Sequence, residues 1–116
     1  MVLGYEVSIE DCSLEIKTTD KEKVFRKLKY GDLDLSDFWK QEGDKIVPVE
    51  EWFKWGDWFE EDLKKMVKMG ATGTIVLKGE DGEYFKYELN NNGREKIMIF
   101  FGQIVFPKKP DEILEV

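Results

Sequence analysis

The residues of this chain that could carry chemistry are tryptophans and carboxylates close together in sequence. Trp52, Trp55 and Trp58 recur at a spacing of three, with Phe53 and Phe59 between them. A tryptophan ring provides a large contact area at little cost in rotamer freedom, so such a patch is typical of a binding surface. A rim of carboxylates would favour a cationic partner. The residues predicted to contact a partner are Trp39, Glu50, Glu51, Trp52, Trp55, Asp57, Trp58, Glu60 and Glu61.

The same residue types allow two other interpretations. Tryptophans often join a helix to a sheet, which would place most of these rings in the core. Asp57, Glu60 and Glu61 have the spacing of paired carboxylates that could hold a hard cation or act as acid and base. Acids at this spacing are also favoured in the first turn of a helix, whose dipole they complement. We therefore expect no metal, no cofactor and no catalytic residue here.

Whole classes of active site are excluded by composition. The chain has no histidine, and Cys12 is its only cysteine. Catalytic triads, Cys-His dyads, histidine-metal sites and zinc sites built on cysteines are therefore absent. A disulfide within the chain is excluded as well.

The charge is concentrated in the middle of the chain. The formal net charge is −7, and the stretch 32–62 contains eleven acidic residues against three lysines. All four tryptophans lie in the same stretch. An acidic surface repels phosphates, so direct nucleic-acid binding is not expected. Such a surface can instead occupy the basic groove of a nucleic-acid enzyme, with carboxylates where phosphates would lie.

Length and patterning predict one domain, residues 1–116, in a soluble cytoplasmic protein. A chain of 116 residues is long enough for one core and too short for two ordinary domains. Its longest apolar stretch is shorter than the roughly 20 residues that a membrane span needs. No targeting segment is recognised, and no membrane contact is expected.

Hydrophobic periodicity predicts the elements that would position these residues. A strand is expected over 3–17, with a bulge or break near Cys12 where the alternation changes parity. A capping box from Thr19 to Glu22 begins a helix over 20–30. The acidic segment 32–50 reads as irregular and insertion-like, apart from a short strand over 46–49 and a turn capped by Ser36. A second capping signal at Asp57 begins a helix with a buried stripe: Phe59, Leu63, Met66, Val67 and Gly70.

The C-terminal third predicts a β-meander. A loop of Glu80-Asp81-Gly82 pairs Leu77 with Phe85 and Ile75 with Tyr87, with glycine in the left-handed third position. A loop of Asn91-Asn92-Gly93 pairs Tyr87 with Ile97 and Phe85 with Ile99 by the same reasoning. The other face of the meander would carry three apolar residues: Tyr84, Met98 and Phe100. Either the 32–50 segment or a second copy of the chain must cover it, so a homodimer through this face is one predicted assembly.

Together these elements predict an α+β domain in the order β-α-β-α-β-β-β. Its sheet would be antiparallel, with two helices packed on one face.

Several segments resemble small uncharacterised α+β proteins of phages and prophages. They are Gly4-Tyr5-x-Val7, the hairpin Glu80-Asp81-Gly82-Glu83-x-Phe85-x-Tyr87, the closing Ile104-Val105-Phe106, and Lys54-Trp55 near the second helix. The likeness covers about half of the chain, which departs from it in the acidic 32–50 segment and in its extra tryptophans. The resemblance implies a mobile-element origin and no reaction. Some such small phage proteins inhibit host machinery, as anti-CRISPR proteins do.

The function expected from the sequence is therefore non-enzymatic. An acidic interaction domain of phage type would dock on the basic surface of a protein partner in the host cytoplasm and inhibit a nucleic-acid-processing, CRISPR-like complex. Two alternatives remain open. One is a small-ligand or sugar-binding protein, or an enzyme, that uses the tryptophans with Asp57 and Glu60. The other is a structural homodimer.

Overall fold

Antiparallel strands account for most of the chain that the computed structural model describes, residues 5–16, 26, 35–89, 95–102 and 106–116. Within those ranges there are nine strands and one helix of several turns. The strands are β1 (Tyr5–Cys12), β2 (Glu15–Ile16), β3 (Trp39–Glu42), β4 (Lys45–Pro48), β5 (Trp52–Trp55), β6 (Ala71–Gly79), β7 (Tyr84–Leu89), β8 (Lys96–Gly102) and β9 (Glu112–Glu115). The helix, α1, is Asp57–Lys68.

The sheet branches at the long strand β6. The strands β7, β8 and β9 follow β6 on one side in sequence order. On the other side, β1 pairs with the second half of β6 and β2 with its first two residues. Outside β1 lies β5, and outside β2 lie β4 and then β3. The nine described strands therefore form one continuous antiparallel sheet.

The fold is mostly β, so the predicted order of elements is only partly right. The antiparallel sheet and the meander are confirmed, and β1 and β2 are the two parts of the predicted strand 3–17, but β3, β5 and β9 are additional strands. The described residues contain one helix on the sheet rather than the expected two. The predicted helix over 20–30 lies outside the described residues except for Arg26, whose backbone is helical. In the part of the chain described, no helix is both long and apolar enough to cross a membrane.

The expected break in the first strand is present. The pairing of β1 with β6 shifts by one residue between Ile9 and Asp11, slightly before the predicted position. Because one extra residue reverses the parity, Leu14 and Ile16 then face the core, where both are buried.

Of the two predicted hairpin registers, one is confirmed and one is wrong. Leu77 pairs with Phe85 across the first hairpin. Gly82 has a positive φ, as predicted, with a value of 87°. In the second hairpin Tyr87 pairs with Ile99, two residues from the predicted partner Ile97. A shift of two keeps every side chain on its own face, so the hydrophobic pattern could not exclude it. The predicted loop at 91–93 lies outside the described residues.

The segment predicted as irregular contains a hairpin. Trp39 pairs with Pro48 and Glu42 with Lys45, which leaves a two-residue turn that begins at Gly43. Gly43 has a φ of 62°, a conformation that glycine adopts without strain. Pro48 is the last residue of its strand, a position that suits a residue with no N–H to donate to a ladder.

The helix has the predicted buried face but not the predicted cap. Phe59, Leu63, Met66 and Val67 are buried against the sheet, whereas Gly70 lies beyond the helix and is exposed. The N-cap residue is Gly56, which has no side chain to bond the first turn. The predicted cap, Asp57, is instead the first helical residue, where its charge complements the helix dipole.

A buried carboxylate connects this helix to the β3–β4 hairpin. Asp62 is 3% exposed. Its Oδ2 accepts hydrogen bonds from Nε1 of Trp39 at 2.9 Å and from the hydroxyl of Ser36 at 2.6 Å. Ser36 precedes a turn at residues 37–38, and its hydroxyl bonds the helix. The Trp39 ring stacks on Phe59 with centroids 5.7 Å apart, so the residues before the hairpin belong to the core.

The second face of the sheet is partly covered within the chain. Phe100 is 4% exposed, and Nζ of Lys86 lies 4.5 Å from the centre of its ring. The same ammonium lies 5.2 Å from the Phe106 ring. The described part of the 32–50 segment packs beside the helix, so it does not provide the predicted cover. Because Phe100 is already buried, less apolar surface is left for a second copy, and the homodimer through Tyr84, Met98 and Phe100 stays a prediction.

We expect Asp62→Ala to destabilise the protein by about 3 kcal/mol, because it removes the carboxylate that accepts hydrogen bonds from the buried Trp39 and the half-buried Ser36. The matched control is Glu61→Ala in the same helix, whose exposed ion pair with Lys64 should contribute about 0.5 kcal/mol or less. Urea unfolding curves measure both. Equal losses in the two variants would show that Asp62 does not hold the hairpin.

Candidate functional site

The four tryptophans do not form one patch. Trp39 is 2% exposed and bonded to Asp62, so its ring is part of the core. Trp52 begins β5 and is 62% exposed. Trp55, three residues on, turns to the opposite side of the strand and is half-buried. Trp58 is half-buried in the helix, where its ring contacts Phe38. Because Trp52 and Trp55 lie in a strand, a spacing of three places their rings on opposite faces. In a helix the same spacing would place them on one side.

The predicted acidic residues are also divided. Glu50 and Glu51 are exposed just before β5, and Asp57 and Glu61 are exposed on the helix. Glu60 alone is half-buried and turned towards the sheet. The structure therefore shows two separate places of interest, a run of exposed residues and a cavity.

The exposed run is residues 49–52. All four residues are exposed, and two of them are large apolar residues, Val49 at 48% and Trp52 at 62%. Glu50 and Glu51 stand between them. Val49 and Glu50 also border a shallow groove of about 320 Å³, whose other walls include Phe38 and Trp58. An exposed indole therefore follows two exposed carboxylates beside an aromatic-walled groove, which keeps only Glu50, Glu51, Trp52 and Trp58 of the predicted patch together.

The cavity lies where the first turn of α1 meets the sheet, and it has a volume of about 300 Å³. Most of its walls are rings. Phe85 stands edge-on to Phe101 and to Tyr5, with centroids 5.6 and 6.3 Å apart. The residues that line the cavity are Tyr5, Trp55, Glu60, Phe85, Tyr87, Ile99, Phe101 and Glu112.

A chain of hydrogen bonds forms the polar wall of this cavity. Nε1 of Trp55 donates to the hydroxyl of Tyr87 at 3.2 Å, and that hydroxyl donates to Oε2 of Glu60 at 3.2 Å. The three residues belong to β5, β7 and α1, so the chain joins two strands to the helix. It also fixes the direction in which the Glu60 carboxylate points.

The pKa of the Glu60 carboxyl is raised above its ordinary value. Burial is the largest cause, and the negative charges of Glu112 and Asp57 raise it further. The hydrogen bond from Tyr87 acts in the opposite direction, since it stabilises the ionised carboxylate. The pKa of Tyr87 is itself raised, chiefly by burial and then by the charge of Glu60. The cavity is therefore a place where negative charge is poorly solvated.

Tyr5 is fixed at the rim of the cavity by its surroundings. Its hydroxyl donates to Asp81, and burial together with that carboxylate raises the pKa of Tyr5 to about 12. The ring lies over Gly79, where a Cβ would meet the Tyr5 hydroxyl oxygen at 1.9 Å. Any larger residue at position 79 would displace the ring.

Cys12 is not arranged as a nucleophile. Its Sγ lies 3.6 Å from the carbonyl oxygen of Ile46, and burial raises the pKa of its thiol. A thiol with a raised pKa carries little thiolate near neutral pH, as expected for a structural cysteine.

The cavity contains two predicted site residues, Trp55 and Glu60, and several that the sequence did not indicate. The second carboxylate is Glu112 rather than the predicted Asp57, which does not line the cavity. Glu112 begins β9, a strand that was not predicted and that pairs with β8. The parity of the meander could have identified Phe85, Tyr87 and Phe101 as one surface, because alternate residues of paired strands share a face. No local sequence motif indicates which end of this sheet surface is left uncovered by α1.

Comparisons of the chain with protein-family models, with curated proteins and with solved structures returned no match. The resemblance to phage proteins therefore stays a prediction.

We expect Glu60→Gln to stabilise the protein near neutral pH. The raised pKa means that folded Glu60 holds its proton to higher pH than unfolded Glu60, so its contribution to stability falls as the pH rises through the ordinary pKa and is fully lost above the raised pKa. The variant removes this loss and can still accept the bond from Tyr87. Its urea midpoint should exceed that of the parent at about pH 7 and match it at about pH 4.

The control for this change is Glu115→Gln, which removes a charge from the exposed end of β9. A gain that is the same at both pH values, or that the control reproduces, would contradict the raised pKa of Glu60.

Proposed function

We propose that this chain is a non-enzymatic, acidic interaction domain that docks on a basic surface of a protein partner. The observation that carries the proposal is residues 49–52, where an exposed indole and an exposed valine flank two carboxylates. Exposed apolar side chains of this size are uncommon among the described residues. They are Val49, Trp52 and Ile113.

Each part of the segment has a distinct physical role. Glu50 and Glu51 would attract the partner over several ångströms and then pair with its lysines or arginines. Trp52 would provide the desolvated anchor, since burying an indole contributes more to affinity than an exposed ion pair does. The groove beside Phe38 and Trp58 would receive an apolar neighbour of the basic residues.

The location of the segment favours recognition of an extended surface. It precedes β5, whose four residues pair only with β1 among the described strands. An edge strand presents backbone groups that a partner strand can bond. As part of the same proposal, the protein is of phage type, acts in the host cytoplasm, and inhibits a nucleic-acid-processing, CRISPR-like complex by covering its basic groove.

A second candidate function is binding of a small ligand, and the cavity favours it. Five aromatic rings and two carboxylates converge on about 300 Å³, near the lower end of the range for ligand pockets. An enzyme with two carboxylates would need this same pair, Glu60 and Glu112, rather than Asp57 and Glu60.

We expect a double variant, Glu50→Lys with Glu51→Lys, to bind a short lysine-rich peptide about tenfold more slowly at low salt. Its association rate should also depend less on salt concentration. The matched control, Glu80→Lys with Glu83→Lys, makes the same charge change at another exposed site. Stopped-flow measurements over a range of salt concentrations compare the variants. Equal rates for the two pairs, or parent rates that do not change with salt, would contradict steering by residues 49–52.

We expect Trp52→Ala to weaken binding of the same peptide about tenfold, mainly through faster dissociation. Ile113→Ala serves as the control, because Ile113 is another large exposed apolar residue, 48% exposed, that lies outside the segment. Competition titrations give both dissociation constants. A loss of the same size in the control would show that Trp52 is not the anchor.

A further inference from the structure

We propose that the cavity between α1 and the sheet is a binding site for an organic ammonium group carried on a short apolar chain. The ammonium would lie between Glu60 and Glu112, and the chain would lie along the rings. A lysine side chain of a partner and a free alkylamine share this chemistry.

The charge of the cavity indicates a cation. Its lining includes two carboxylates, the half-buried Glu60 and the exposed Glu112, and none of the described residues that line it is a lysine or an arginine. Burial and the charges of Glu112 and Asp57 make the ionised form of Glu60 costly, and the hydrogen bond from Tyr87 and the charge of Lys64 offset that cost only in part. A bound cation removes that cost, whereas an anion would add to it and a neutral ligand would leave it in place.

The rings provide the rest of the recognition. The face of an aromatic ring is electronegative, so a cation held over such a face is attracted to it. Trp55, Tyr87 and Phe85 line the cavity from two different strands, β5 and β7. The same rings offer apolar contact to methylene groups.

The hydrogen bonds leave an acceptor for the ligand. Oε2 of Glu60 accepts from Tyr87, while among the described residues Oε1 accepts no hydrogen bond. Because Trp55 and Tyr87 orient this carboxylate, its second oxygen is held ready for an ammonium N–H. The bond would be charge-assisted and therefore stronger than a neutral one.

Ammonium binding here does not depend on the docking proposed above. Trp52 points to the opposite side of β5 from Trp55, and neither Glu50 nor Glu51 lines the cavity. The two sites can therefore be tested separately with the same set of variants.

The test is an NMR titration of the full chain with butylammonium, read from backbone amide shifts. We expect saturable shifts around Trp55 and Tyr87, and a dissociation constant at least tenfold larger in Glu60→Gln and in Glu112→Gln than in the parent. Glu115→Gln is the matched control and should bind as the parent does. Binding should also weaken about tenfold or more from about pH 7 to about pH 4, because the ammonium needs the ionised carboxylates.

Three further ligands identify the chemistry. Butanol has the same apolar chain as butylammonium without the charge, and butyrate carries the opposite charge. Glucose represents a neutral sugar. None of the three should bind measurably. A peptide with one lysine should shift the same amides, and a much tighter constant for the peptide than for butylammonium would indicate a protein source. Butanol or glucose binding as tightly as butylammonium, or Glu60→Gln binding as tightly as the parent, would overturn the proposal.

The Glu50→Lys, Glu51→Lys double variant separates the two proposals. It should bind butylammonium as the parent does while, at low salt, it associates with the lysine-rich peptide about tenfold more slowly. The peptide is compared in the Glu60→Gln background, where its lysines no longer bind the cavity. If the added Glu50→Lys and Glu51→Lys changes leave the association rate there unchanged and Glu60→Gln still loses butylammonium, the docking surface fails and the ammonium site stands. If the double variant associates more slowly with the peptide but Glu60→Gln binds butylammonium as tightly as the parent, the ammonium site fails and the docking surface stands.

Discussion

The buried carboxylate of Asp62 is the constraint around which the rest of the structure is arranged. A charge removed from water must be compensated by hydrogen bonds, and Trp39 and Ser36 provide them from a segment well before the helix in sequence. These bonds place the Trp39 ring on Phe59, and Phe59 contacts Tyr87 with ring centroids 5.4 Å apart. The hydrogen bonds to Asp62 are therefore linked to Tyr87, in the cavity wall, through two successive ring contacts.

Glu60 lies two residues before Asp62 in the same helix, and its environment is the opposite. Asp62 accepts hydrogen bonds from Trp39 and Ser36, whereas Glu60 accepts one side-chain hydrogen bond and is repelled by the charge of the exposed Glu112. Groups whose ionised form destabilises the free protein are typical of binding sites, where the bound ligand compensates their charge. The contrast separates a structural carboxylate from a functional one by geometry rather than by sequence spacing.

The sequence predicted the parts of the fold that depend on local periodicity. The meander, the register of its first hairpin and the buried stripe of α1 follow from parity and from Gly82. The β3–β4 hairpin was missed because its signal is short, a Gly43-Asp44 turn between two four-residue strands. The helix cap was wrongly placed at Asp57 because an acid in the first turn and an acid at the cap look alike in sequence. Beyond Trp55, Glu60 and the meander face that carries Phe85, Tyr87 and Phe101, the cavity could not be predicted, since Tyr5 and Glu112 reach it only through long-range strand pairing.

The most direct test of the account is the pKa of the Glu60 carboxyl, followed by ¹³C NMR with and without saturating butylammonium. The account predicts a pKa above the ordinary glutamate value in the free protein, because burial and Glu112 disfavour the charge. It also predicts that the bound ammonium lowers this pKa by stabilising the carboxylate. An ordinary pKa that does not change when butylammonium is added would contradict a cavity built to receive a cation.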